Sequence, residues 1–171
     1  MSAPTSTPAE FRRALGQFAT GVTVVTVETS GEDGALAVHG MTANSFTSVS
    51  LDPLLVLICV DQRARTLPLL HPKRRFGISI LSAEQQELSV YFSKGEQNAE
   101  GEKRLGIRFR RSPSGIPLVE GTLAQMACNV VATYTAGDHV IFIGEVETAE
   151  IQSGDPLLFF AGKYRKLAPS T

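Results

Sequence analysis

The sequence predicts a mainly β domain, an antiparallel barrel with peripheral α-helices. β-Branched or apolar runs of strand length recur along the chain, as in Val22–Val27 and Leu54–Val60. Short turns rather than helices join most of them, as at Ser30–Gly34, Ala136–Asp138 and Gly154–Pro156. Helical spacing is confined to a few short segments, so alternating βαβ units are not the default reading. The 171 residues are one domain's worth. A chain of that length buries roughly 70% of its unfolded surface, enough for a core without disulfide or metal staples.

The first helix is expected over residues 8–19. Thr7 can cap it, Pro8 suits its first position and Glu10 can close a capping box. Phe11, Ala14, Leu15 and Phe18 then share one face. Val22–Val27 is a strand, and residues 35–41 return as the second arm of a hairpin. Thr42–Ser50 is rich in hydroxyls and lies between two strands. Leu54–Val60 is continuously apolar, the pattern of a strand covered on both faces. A short helix capped by Thr66 ends near His71-Pro72. Phe76–Leu81 is a strand, and Ser82 with Gln85 opens a helix to about Phe92. Residues 93–115 read as irregular. Strands at 123–134, 139–147 and 157–164 complete a tally of about seven strands and three helices.

Composition narrows the function. Net charge is −1, which excludes a strongly basic nucleic-acid binder as the default. The longest purely apolar run spans seven residues, 54–60, against about 20 for a membrane helix, and no basic-then-apolar leader opens the chain. A cytoplasmic protein is expected. Cys59 and Cys128 read as reduced core thiols. His39, His71 and His139 have no local metal-ligand spacing, so no metal is expected. Glycine-rich dinucleotide, P-loop and nucleophile-elbow motifs are absent. The segment Gly40–Ser50 stands out. Its five hydroxyls and one amide could read the polar edge of a heterocycle or a phosphate, or satisfy their own backbone in a turn.

Gly40-Met41-Thr42-Ala43-Asn44-Ser45-Phe46-Thr47-Ser48-Val49-Ser50-Leu51-Asp52-Pro53, with the apolar strand to Val60, resembles the signature of the flavin reductase-like family. These are the small reductase components of two-component flavin monooxygenase systems. Matching blocks follow in order at 11–26, 75–81 with Gln85 and Leu88-Ser89, Gly137–Val146, and Pro156–Arg165, so the resemblance covers about residues 9–167. It departs from the family at Leu54, where a second proline is usual, and at Asp61-Gln62-Arg63.

The resemblance implies an FMN-binding split β-barrel of Greek-key type that binds FMN or FAD at a homodimer interface. It divides the chain into a flexible tail at 1–8, the domain at 9–167 and a C-terminal tail at 168–171. The implied activity is hydride transfer from NADH or NADPH to the flavin, which then leaves for a partner oxygenase. Thr42, Ala43, Asn44 and Ser45 are expected along the isoalloxazine and ribityl chain, with Ser48 and Ser50 nearby. Cys59, Val60 and Asp61 end a strand beside the flavin. The stretch Arg63-Ala64-Arg65-Thr66 is expected to hold the phosphate, Arg65 through a paired contact and Thr66 at a helix start, and Ser93 and Lys94 are a second phosphate candidate. His139 is the nicotinamide-positioning candidate. His39 and His71 carry a structural role only. Lys163-Tyr164-Arg165 could pack on flavin or on the partner copy. Arg108, Arg110 and Arg111 read as a solvated face. The competing functions are a flavoprotein that keeps its flavin and reduces ferric iron or a quinone, and a non-catalytic flavin-binding module.

Overall fold

The computed structural model describes residues 6–31 and 36–168. The chain runs α1 (Pro8–Leu15), β1 (Thr20–Gly21), β2 (Thr23–Ser30), β3 (Leu36–Ala43), β4 (Phe46–Leu51), β5 (Leu54–Asp61), α2 (Thr66–Lys73) and β6 (Arg75–Ile80). It continues with α3 (Gln86–Ser93), α4 (Ala99–Arg104), β7 (Phe109–Arg111), β8 (Pro117–Val119), β9 (Ala124–Ala136), β10 (His139–Ile151), β11 (Leu158–Phe160) and β12 (Lys163–Arg165).

Seven strands form one antiparallel sheet in the order β3-β2-β6-β9-β10-β5-β4. Its two edge strands, β3 and β4, are joined by only Asn44 and Ser45. Laid flat, edges six strand spacings apart would stand about 29 Å from each other. Three residues of chain, Ala43 to Phe46, reach at most about 10 Å. The sheet must therefore curl until its edges meet at this junction. β3 and β4 are not hydrogen-bonded neighbours, so the barrel stays split along that seam. This is the mainly β architecture expected from the sequence.

The barrel interior holds Val25, Val27, Ile58, Val60, Phe76, Ile78 and Phe142, with Leu70 of α2 packed among them. A second cluster beneath it joins Val22, Val24, Leu81, Tyr91, Phe92, Ile107, Val119 and Leu157. β2 feeds both, one from each face, which is why its residues 23–27 are all β-branched.

Several local expectations are corrected. The capping box of Thr7 and Glu10 forms, which takes Thr7 and Pro8 out of a tail, but α1 stops at Leu15, because Gln17 and Phe18 N–H groups tighten to bond three residues back, to the Ala14 and Leu15 carbonyls. Of the tails, residues 1–5 and 169–171 lie outside the described residues, as does the 32–35 part of the first hairpin turn. Thr42–Ser50 is mostly strand, since β3 and β4 claim all but the two junction residues. The Ser82-Gln85 pair forms a turn, with Ser82 N–H donating to the Gln85 amide oxygen, and helix begins only at Gln86. Residues 93–115 hold α4, capped by Asn98, and β7. The last strand is two, β11 and β12, because Ala161-Gly162 turns the chain with positive φ at both residues. β5 is covered on one face only: Val56, Ile58 and Val60 are buried, whereas Leu55, Leu57 and Cys59 alternate half-exposed on the other. No helix among the described residues is long and apolar enough to cross a membrane.

Candidate flavin and nicotinamide site

The closing junction organises one rim of the barrel. Asn44 is exposed there, and Ser45 is pinned to β5 twice. Cys59 N–H donates to the Ser45 carbonyl at 3.2 Å, and Ser45 Oγ donates to the Cys59 carbonyl at 3.0 Å. Cys59, Val60 and Asp61 finish β5 on the same rim. His139 begins β10 directly opposite Asp61 in register. Gln62 ties the following loop to the β9–β10 turn, donating from its backbone to the Asp138 carbonyl and from its side chain to the Gly137 carbonyl.

Not every candidate side chain is free to meet a ligand. Ala43 and Val60 are buried, so they offer backbone only. The Thr42 hydroxyl donates to the Ser89 carbonyl at 2.6 Å. Ser48 and Ser50 run along β4 away from Asn44, at about 3.4 Å per residue, and Ser50 Oγ accepts from Asp52 N–H. Within one chain they do not join the junction cluster.

The charges divide by partner. Arg63 makes a paired contact to Asp61, at 3.0 Å from Nε and 2.7 Å from Nη2, and holds that carboxyl well below the usual carboxylate range. Arg65 is exposed and donates to the Gly95 carbonyl, which brings it beside Ser93 and Lys94 at the end of α3. Ser93 itself donates back to the Val90 carbonyl. Thr66 does not cap α2. Arg65 occupies the cap position, no side chain caps the helix, and Thr66 sits inside its first turn, 1% exposed. Its hydroxyl meets His39 Nε2 at 3.2 Å. His139 Nδ1 lies 2.7 Å from the Asp138 carboxylate, and that contact lowers the Asp138 pKa. Burial raises the Cys59 thiol above its ordinary value, so Cys59 is a thiol rather than a thiolate nucleophile.

Three supporting groups were not legible in the sequence. Gln97 clasps both backbone groups of Gly40, covering the edge of β3. Ser89 Oγ meets Tyr164 OH at 2.8 Å, and the Tyr164 ring packs edge-on against Phe159. His39 is the third. Arg108, Arg110 and Arg111 pair with Glu120, Glu150 and Glu28, as a solvated charged face would.

The exposed Asn44 amide at the junction and the exposed Arg65 guanidinium before α2 thus remain as donors, and no cluster of metal ligands stands among the described residues. That donor set fits a flavin with its phosphate, since ring polar edges and an anion both require donors.

The chain matches the family model described as flavin reductase like domain over residues 15–168. It is 44% identical over 165 residues to an NADH-dependent flavin reductase from Rhodococcus, covering 96% of this chain and 89% of that one. It is 36% identical to the reductase subunit HsaB of a flavin-dependent monooxygenase from Mycobacterium tuberculosis, covering 95% and 83%. Among solved structures, it resembles the Streptomyces globisporus NADH:FAD oxidoreductase SgcE6 in complex with NAD and FAD fragments. That match has a TM-score of 0.83 and 38% identity, and covers 98% of both chains.

Proposed function

The chain belongs to the flavin reductase-like family, and we propose from that premise how its own residues carry out the family's reaction. It is an oxidoreductase that uses NADH to reduce FMN or FAD, and it serves as the reductase component for a flavin-dependent monooxygenase. The reading rests chiefly on the sheet closure at Asn44-Ser45, which sets a polar junction against the end of β5, opposite the start of β10.

When bound, the flavin supplies the hydride-accepting chemistry, so the protein needs no nucleophile. Asn44 and the backbone of Thr42, Ala43 and Ser45 bind the ring edge and orient it. Their donors stabilise charge that builds on the ring as it is reduced. Cys59, Val60 and Asp61 form the adjacent wall. Arg65 and the first turn of α2 hold the phosphate, because uncapped helix N–H groups and a guanidinium both favour an anion. Lys94 adds a second cation from the end of α3, with Ser93 beside it. His139 positions the nicotinamide, its ring fixed by Asp138. Asp61 and Arg63 neutralise each other and leave Arg65 as the cation for the ligand.

A second copy completes the cleft. The half-exposed apolar face of β5 (Leu55, Leu57) and exposed Val49 and Leu51 on edge strand β4 support this homodimer, since such surface is ordinarily covered. Ser48 and Ser50 lie on that edge and are proposed to reach the partner's cleft.

The test is NADH oxidation followed with and without added FMN, FAD or riboflavin. Turnover that requires added flavin supports the proposal, and a yellow protein inert to NADH overturns it. Arg65→Ala is expected to weaken FMN binding roughly ten- to hundredfold, the scale of a lost charge-assisted contact. An unchanged Arg65→Ala affinity would reject the phosphate assignment.

A further inference from the structure

We infer that His39 is a positioning residue for the phosphate-binding end of the flavin site, acting through Thr66; this rests on the assignment of Arg65 and α2 to the phosphate. His39 lies on β3, three residues before Thr42, so the strand that carries the ring-binding junction also carries this imidazole. Its Nε2 meets Thr66 Oγ1 at 3.2 Å across 27 residues of sequence. Thr66 is 1% exposed and lies in the first turn of α2, next to Arg65. The contact is therefore a strut between the barrel wall and the helix start, fixing where the first-turn N–H groups and the Arg65 backbone stand relative to Asn44.

The imidazole suits this task because it is held neutral. Burial lowers its pKa, and the positive charge of Arg65 lowers it further. A neutral ring can share a proton with a hydroxyl without setting a second cation against Arg65. The opposite end of the same region is held too: Arg65 bonds the Gly95 carbonyl, and Gln97, two residues on, clasps Gly40, the residue after His39. His39 thus sits in the middle of a closed ring of contacts that links β3, α2 and the end of α3. The ring positions the phosphate end without His39 itself touching the ligand.

The experiment is equilibrium titration of the full-length protein with FMN and with riboflavin, which lacks the phosphate, read by flavin fluorescence. His39→Phe keeps the ring shape but loses the bond. It is expected to weaken FMN binding about three- to tenfold, the range of one hydrogen bond, and to leave riboflavin binding unchanged. His39→Gln places an amide nitrogen near the Nε2 position and is expected to restore FMN binding. If His39→Phe does not fold, His39→Asn, too short to reach Thr66, serves instead. Equal loss for both flavins, no loss, or failure of His39→Gln to rescue overturns the inference. Arg65→Ala separates the two claims. If it leaves the preference for FMN over riboflavin intact, the phosphate assignment fails. If it abolishes that preference while His39→Phe keeps it, only the role of His39 fails.

Discussion

Single residues set the tolerances of this protein. A Cβ on Gly77 would stand 2.2 Å from the Pro117 carbonyl oxygen and 2.4 Å from Thr26 Oγ1, and the carbonyl belongs to backbone that cannot swing away. Gly77→Ala should cost about 1–3 kcal/mol, as overpacking does, in urea unfolding. At Gly21 an added Cβ meets nothing within 4 Å, so Gly21→Ala should change stability far less. Equal effects would contradict the packing described for β6. Burial pushes the Cys128 thiol up to about 12 and raises Cys59 as well. Both should therefore react slowly with a disulfide reagent at mildly alkaline pH and rapidly once denatured. Fast labelling of the folded protein would show that the β5 and β9 thiols are more open than this.

At the scale of elements, Glu28 links three of them. Standing on β2, it accepts from Lys73 at the end of α2 and from Arg111 on β7. Arg111 first, and Lys73 next, lower its pKa below 4.5. A carboxylate depressed on folding adds stability above its unfolded pKa, and that contribution is lost as pH falls through the folded value. Glu28→Gln should thus lower stability by up to about 1 kcal/mol at neutral pH. The deficit should shrink as pH drops below 4.5. A deficit that grows on acidification would reverse the sign and refute the linkage. Element identity was legible wherever pattern was local. The capping box of Thr7 and Glu10 and the β-branched run of β2 were read directly from neighbours in sequence. β4 was missed because its hydroxyl-rich residues look like a turn, and only pairing with β5 makes them a strand. α4 was missed because six polar residues have no apolar period to read. β5 looked doubly buried because its side chains are apolar on both faces, yet one chain covers only one of them.

For the whole molecule, that uncovered face sets the prediction. The protein should sediment as a dimer, and Leu57→Lys, on the half-exposed face of β5, should shift it towards monomer with its circular dichroism retained. Flavin-dependent NADH oxidation should fall in parallel. A monomeric wild-type protein with full activity would show that one copy suffices.

The sequence by itself determined the β class, most hairpins, the core strands and the chemical character of residues 40–50. Those properties follow from the side-chain period, from turn residues and from the donors that hydroxyls and amides carry, all of which act between near neighbours. Only the tertiary structure decided which donors remain free. Tertiary packing brings Ser45 to Cys59, His39 to Thr66, Gln97 to Gly40 and Tyr164 to Ser89, across 14, 27, 57 and 75 residues. Such partners depend on strand order and register around the barrel, which no local pattern encodes. For that reason Thr42 and Thr66, alike in sequence to Asn44 and Arg65 as polar candidates, become supports, while Asn44 and Arg65 are left exposed.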